Sequence, residues 1–324
     1  MDDKVPSVTV LIAARPDQAE VKAVTGSRAL DYPADKLEII VARGQQPSAQ
    51  RNAALKAARG ELIYFLDDDS IPEPGNLRRA IGHFGDPQVQ MVGGPNLCPR
   101  DAPLLEQVFA LVLGSWLAFG PSRARYTPVG SVRQTSEKEL ILCNLVARRD
   151  AMLELGGFNE ALYPNEENAL MDSLEKRGGK LIYDPALVVH RRPRHNLKAF
   201  SRMLMTYGRG RAEQLRVNPT LGSALNFVPP LFCFYLVALV VLACIGKICW
   251  ICLIPLAFYI VAVFIQAAVL AGKGHVLLWA PAIPLVILTH ILYGCGFWRG
   301  LFTTLRRDPE QRPPGAVILE TVPR

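Results

Sequence analysis

The chain has 324 residues, half of them hydrophobic, and a net charge of +7, so it can bury one substantial core and has residues to spare. Its basic charge does not mark a nucleic-acid binder. The cations crowd into residues 191–216, just before an almost uncharged block at 225–298, where such a run meets anionic headgroups or phosphates, and there is no zinc-finger spacing or aromatic RNA-binding motif.

The opening MDDKVPS is polar and acidic, unlike a signal peptide. Val8–Ala14 (VTVLIAA) is continuously apolar and β-branched, as a strand buried on both faces must be. Leu37–Ala42 is a second such strand. Ser48 is placed to cap a helix, AQRNAALKAA, that Gly60 stops. Glu61–Leu66 is a third strand, running straight into Asp67, Asp68 and Asp69, and Gln90–Pro95 continues the alternation. Strand, helix and strand in this rhythm predict an α/β fold with a doubly wound, mostly parallel sheet. Residues 104–119 form an apolar helix too short to span a bilayer comfortably, either in the core or lying against a membrane. Asn165 is placed to cap a helix carrying Glu166 and Glu167 in its first turn, and Gly178-Gly179 end it. LIYDPALVV is a further strand region.

Three apolar stretches follow, at about 226–246, 248–271 and 276–298, broken by Lys247 and by Gly272–His275, with Pro281 and Pro284 in the third. The chain therefore divides into an α/β domain at 1–215, with a basic juxtamembrane segment from about residue 191, a membrane domain at 225–298, and a polar tail at 299–324 in which RRDPEQRPPGA is expected to be disordered. Five of the seven cysteines lie in the apolar block, where Cys249 and Cys252 read as packed or lipid-facing residues. Cys98 and Cys143 do not make a disulfide scaffold, which fits a cytoplasmic face. By the positive-inside rule the arginines before residue 225 are cytoplasmic. Three full spans would put Arg299, Arg306, Arg307 and Arg312 outside, so one stretch is expected to be re-entrant or interfacial.

Three adjacent carboxylates at a strand end repel one another. A divalent cation relieves that cost, and ligands gather at the carboxyl ends of such strands. A solvated acidic turn is the plain alternative.

RNAALKAARGELIYFLDDDSIPEP and GGFNEALYPNEEN, in this order, resemble the donor-side and acceptor-side signatures of the inverting family 2 glycosyltransferases of GT-A fold. VVHRRPRHNLKAFSRMLMTYGRGRAEQ with the hydrophobic C-terminus is most similar to the succinoglycan-type enzymes of bacterial polysaccharide assembly. The resemblance covers about residues 6–215 and implies a nucleotide-sugar donor bound by Ala13, Ala14, Arg15, Arg51, Asp67, Asp68 and Asp69. It implies Mn2+ or Mg2+ held by Asp67 and Asp69, with His190 a candidate third ligand that can equally be a packed or surface residue. Glu167 takes the position of the catalytic base and Glu166 would orient it; an ordinary acidic first turn is the bland alternative. Gly157 belongs to the acceptor signature, and Arg191, Arg192, Arg209 and Arg211 are candidate diphosphate ligands in a run without an acid.

The sequence departs from the family at ARGQQPS after the second strand, where an Asp-rich turn usually helps to read the base. The processive Gln-x-x-Arg-Trp motif is also absent, which favours addition of a single sugar. The expected activity is transfer to a lipid-linked saccharide at the cytoplasmic face of a bacterial plasma membrane, by a multi-pass protein. A polyprenyl-phosphate sugar synthase and a non-catalytic membrane scaffold are the alternatives.

Overall fold

The apolar runs become the centre of a mixed sheet in the computed structural model, which describes residues 5–162, 165–217, 226–272, 278–303 and 316–323. In chain order the first elements are β1 (Val8–Ala14), α1 (Lys22–Arg28), β2 (Leu37–Arg43), α2 (Pro47–Ala57), β3 (Leu62–Asp67), β4 (Ile71–Pro72) and α3 (Asn76–His83). Then come β5 (Val89–Gly93), β6 (Asn96–Leu97), α4 (Leu104–Leu113), α5 (Trp116–Phe119), β7 (Arg133–Thr135), β8 (Leu145–Arg148), α6 (Arg149–Glu154), α7 (Glu166–Lys176), β9 (Lys180–Tyr183) and β10 (Val189–His190). The last are α8 (Leu197–Val217), α9 (Val228–Cys244), α10 (Trp250–Gly272), α11 (Trp279–Phe302) and β11 (Ile318–Thr321).

Two compact units result. The first holds Met1–Pro99, Pro121–Arg192 and Arg306–Arg324, and the second holds Arg100–Gly120 and Pro193–Leu305. The first is built on a sheet of order β11-β2-β1-β3-β8-β5-β9-β7. Its β2, β1 and β3 are parallel, with Ala13 level with both Ala42 and Asp67, whereas β8 enters antiparallel between β3 and β5. Val10, Ile12 and Tyr64 pack on one face of the sheet and Leu11, Ile63 and Phe65 on the other. Burial on both faces is why β1 and β3 read as unbroken apolar runs. A second, small sheet pairs β10 with β4 and β6.

Three local expectations change. Helix α2 begins at Pro47, whose fixed φ and missing N–H suit a first helical position. Ser48 therefore lies inside the helix, its hydroxyl buried, and does not cap it. Asn165 stands at the N-cap of α7 in the left-handed region (φ 114°), but its Oδ1 accepts from the Asn168 side chain rather than from a helix amide. Residues 104–119 are not one helix: α4 and the segment that follows it are bent by 60°. Residues 306–315 of the expected disordered tail, and the 273–277 break, lie outside the described residues. Just beyond that tail, Ile318–Thr321 form an edge strand antiparallel to β2 that the sequence did not announce.

The described elements of the second unit are all helices. Among the described residues α10, over Trp250–Leu270, and α11 are long and apolar enough to cross a membrane, and α9 is a shorter apolar helix. Phe258, Val261, Phe264 and Ile265 of α10 are exposed, as lipid-facing residues would be. Helix α8 lies along α11 with backbones in close approach. A Cβ on Gly208 would stand 2.0 Å from the Tyr293 carbonyl oxygen, and one on Gly296 2.2 Å from that of Met205. The glycine of the YGRGR motif is thus a packing requirement, of the small-residue kind that brings helices together where hydrophobicity cannot.

Gly208→Ala should destabilise this unit by about 1–3 kcal/mol, because backbone must move to admit the methyl. Gly75→Ala, with nothing within 4 Å of the added carbon, should leave stability unchanged. Thermal unfolding of the detergent-solubilised protein compares the two.

Candidate functional site

The carboxyl ends of β1, β2 and β3 share one edge of the sheet, and the acidic triplet sits there because Asp67 is the last residue of β3. The chain turns at once: the Ser70 amide donates to the Asp67 carbonyl at 3.0 Å, and the Ala23 amide of α1 to that of Asp68 at 3.1 Å. Burial, and then the neighbouring charge of Asp69, push the Asp68 carboxyl above its usual range.

Two guanidinium groups meet the triplet. Pairing of β10 with β4, which follows the turn directly, and a 2.9 Å bond from the Arg191 amide to the Leu97 carbonyl set Arg191 beside it. Arg191 Nε then lies 2.6 Å from Asp69 Oδ1, and its Nη1 3.2 Å from Asp67 Oδ2. Burial alone would lower the Arg191 pKa, but Asp67 and Asp69 outweigh it and hold the group charged. The second is Arg51 of α2. Its Nη2 donates to Asp67 Oδ1 and its Nη1 to Glu166 Oε1, both at 3.1 Å.

Glu166 opens α7 with its side chain only 3% exposed, and its Oε2 accepts from the Asn165 amide at 3.1 Å. Burial, with the charge of Glu167 adding to it and Arg51 opposing, raises its pKa to about 7. Glu167 is only partly buried, and its Oε1 accepts from Asn168 at 3.3 Å. Asn52, next to Arg51, holds the turn before α7: its Nδ2 donates to the Phe158 carbonyl and to Glu160 Oε1, both at 2.9 Å, and its Oδ1 accepts from the Phe158 amide at 2.8 Å. Gly157 must be glycine twice over, by its φ of +80° and because a Cβ there would stand 2.4 Å from Asn52 Oδ1.

Among the expected residues, the structure thus brings Arg51, Asp67, Asp68, Asp69, Arg191, Glu166 and Glu167 to one edge. Ala13 and Ala14 end β1 there, Arg15 is exposed just beyond, and Arg192 is exposed after Arg191. His190 does not join the acidic pair. Its Nε2 lies 3.2 Å from Glu73 Oε1, and among the described residues no three His, Cys, Asp or Glu side chains converge as a metal site. Arg209 and Arg211 belong to α8 in the second unit, where Arg209 pairs with Glu213 at 3.3 Å and Arg211 donates to Gln214 at 3.0 Å.

Gln50 was not anticipated. It donates to the carbonyls of Ala14 and Ala42, at 2.7 and 2.6 Å, and so clamps the ends of β1 and β2. The available signal was the polarity of α2: Ser48, Gln50 and Arg51 are all buried on it, where a purely structural helix would bury apolar residues.

Asp67 Oδ2 and Asp69 Oδ1 already converge on one cationic centre, and two hard oxygen donors are of the kind that hold Mn2+ or Mg2+. The sheet of this order, with an acidic triplet starting at the last residue of its third strand, is a GT-A-like α/β fold. The family described as "Glycosyltransferase like family 2" matches residues 2–206, and the chain belongs to it. The "Pre-mycofactocin glycosyltransferase" of two Mycobacterium tuberculosis strains is 33% identical over 149 residues, 44% of this chain and 30% of that protein's length. In fold the chain is similar to the mannosyltransferase PcManGT from Pyrobaculum calidifontis, solved in complex with GDP-Man and Mn2+: the TM-score is 0.59 at 18% identity, covering 92% of this chain and 87% of that one.

Because the Glu166 pKa is raised to about 7, the carboxylate takes up a proton as the pH falls through about 7, and Arg51 keeps only Asp67 as a charged partner. Turnover should fall on the acid side with an apparent pKa near 7. Glu166→Gln should remove that limb and be slow throughout. A pH–rate profile of the two proteins checks this, and a limb near 7 that persists in the variant would assign it to another group.

Proposed function

We propose that the chain moves one sugar from a nucleotide-sugar, with inversion, onto a lipid-linked saccharide at the cytoplasmic face of a bacterial plasma membrane. The carrying observation is the Arg51 bridge, which joins a donor-side acid, Asp67, to an acceptor-side acid, Glu166. The resemblance to succinoglycan-type enzymes supports a role in polysaccharide assembly, and GDP-Man with Mn2+ in PcManGT supports a nucleotide-sugar and a divalent ion.

The residues divide the work by burial. Both Glu166 oxygens are engaged, so it serves as a fixed acid that holds Arg51. Glu167, partly open, is the base: it takes the acceptor hydroxyl proton as the oxygen attacks the anomeric carbon and the bond to the diphosphate breaks. Asp67 and Asp69 would hold the metal, which supplies positive charge for the leaving diphosphate. Arg191, already at both carboxylates, contributes a second positive charge at the same edge.

Chain connectivity supports an even number of crossings. The chain leaves the first unit after β10 and returns to it in β11, so the segment between them starts and ends on one side. Helix α9, at 17 residues, reaches about 26 Å against a hydrocarbon core of about 30 Å, which leaves α10 and α11 as the crossing pair. The bent segment at α4 likewise lies between β6 and β7 of the first unit, as a re-entrant or interfacial element would.

Glu167→Gln should cut turnover by at least about a hundredfold while sparing nucleotide binding. Asp69→Asn, or excess EDTA, should abolish it. Product analysis with polyprenyl phosphate as sole acceptor should yield nothing; a product there would make the chain a polyprenyl-phosphate sugar synthase. Reporters placed before residue 1 and after residue 324 should both read cytoplasmic, and opposite sides would overturn the even count.

A further inference from the structure

The stretch Ala42–Ser48, from the end of β2 into the start of α2, contains no acid of its own. The structure supplies one from 277 residues further on: Glu320 of β11 accepts from Arg43 Nε at 2.7 Å. The same guanidinium donates through Nη1 to the Gln18 carbonyl at 2.7 Å and, more weakly, to that of Arg15 at 3.4 Å. Arg15 and Gln18 belong to the loop that leaves β1 at Ala14, at the edge where the acidic triplet lies. Gln18 continues the chain of contacts: its side chain donates to the Glu20 carbonyl at 3.0 Å and also steadies the Asp68 carboxylate. Its Oε1 is buried without a hydrogen-bond partner, an acceptor left over inside this loop.

The strand is itself held in place. Val317 and Val322, on either side of it, pack against the two opposite faces of the sheet. The Val322 amide donates to the Ile39 carbonyl at 2.9 Å, and Arg28 Nε to that of Pro323 at 3.0 Å. Within β11, Ile318, Leu319 and Thr321 are exposed, and only Glu320 is partly covered.

We infer that Glu320 is a positioning residue of the donor site, holding Arg43 so that Arg43 fixes residues 15–20 against the Asp67–Asp69 turn. Ala13, Ala14 and Arg15, the expected donor contacts, lead into that loop, so nucleotide binding is the function that would depend on it. The inference rests on the proposed donor site. A half-exposed pair, with side chains 18% and 43% exposed, contributes modestly, so loss of Glu320 should weaken nucleotide binding about fivefold rather than abolish it.

The test titrates full-length, detergent-solubilised protein with UDP and GDP in the presence of Mn2+, and follows amide hydrogen exchange across residues 15–20. Glu320→Ala should weaken binding of whichever nucleotide the wild type takes and speed exchange in the loop. Glu320→Gln, which keeps an acceptor oxygen, should recover most of the protection. Leu319→Ala, on the other side of the same strand, should change neither readout, and Glu320→Ala should add nothing to Arg43→Ala. Unchanged loop exchange in Glu320→Ala, or an equal effect from Leu319→Ala, overturns the inference. If wild-type protein binds neither nucleotide, the donor-site reading fails by itself, and the loop exchange alone then decides whether Glu320 positions residues 15–20.

Discussion

The site depends on one guanidinium. Arg51 is buried, and its two arms reach Asp67 at the end of a central strand and Glu166 at the start of a distant helix. A carboxylate as enclosed as Glu166 is costly to keep charged, and burial already lifts its pKa to about 7. Arg51 joins the acid pair opening α7 to the triplet that starts at the end of β3, two concentrations of negative charge far apart in the chain. Removing one partner of so buried a pair usually costs several kcal/mol, because the other is left unpaired. The neighbouring Asn52 fixes the Gly157 turn that leads into α7. One helical turn of α2 therefore supports both halves of the site.

The sheet edge obeys a second constraint. Three parallel strands end level with one another, and polar side chains reach over the backbone at this edge. Gln50 donates to the Ala14 and Ala42 carbonyls, the former shared with the Gly44 amide, and Arg43 donates to the Gln18 carbonyl in the loop beyond β1. Both are long polar side chains reaching over backbone, so the loops at this edge are held by hydrogen bonds and not by an apolar core. The last described strand adds to the arrangement from the opposite side of β2.

The helical unit is organised by size more than by hydrophobicity. Gly208, Gly296 and Gly300 let α8 and α11 approach until backbone meets backbone. Inside that unit, His290 and Gln266 satisfy the carbonyl and amide of Leu117 where the bent segment interrupts its helix. A break in an apolar helix is tolerated only where such partners exist.

Much was legible beforehand, and for physical reasons. Strands buried on both faces must be continuously apolar, so Val8–Ala14 and the run ending at Leu66 were readable from composition alone, and α7 was readable from its acidic first turn and glycine stop. Adjacent carboxylates at a strand end announce a charge that needs a partner, so Asp67–Asp69 could be singled out without coordinates. The partners themselves could not be read in this way. Arg51 to Glu166, Arg191 to Asp69 and Glu320 to Arg43 each join residues about a hundred or more apart in the chain. Periodicity reports which face of an element is buried, and nothing in it says which distant charge will meet that face. His190 shows the same limit: its place at a strand end was correctly read, but the register of β10 against β4 took its ring to Glu73. The edge strand Ile318–Thr321 went unread because its four residues are mostly exposed, so its sequence carries no alternation, and only the free edge of β2 gives it a structure.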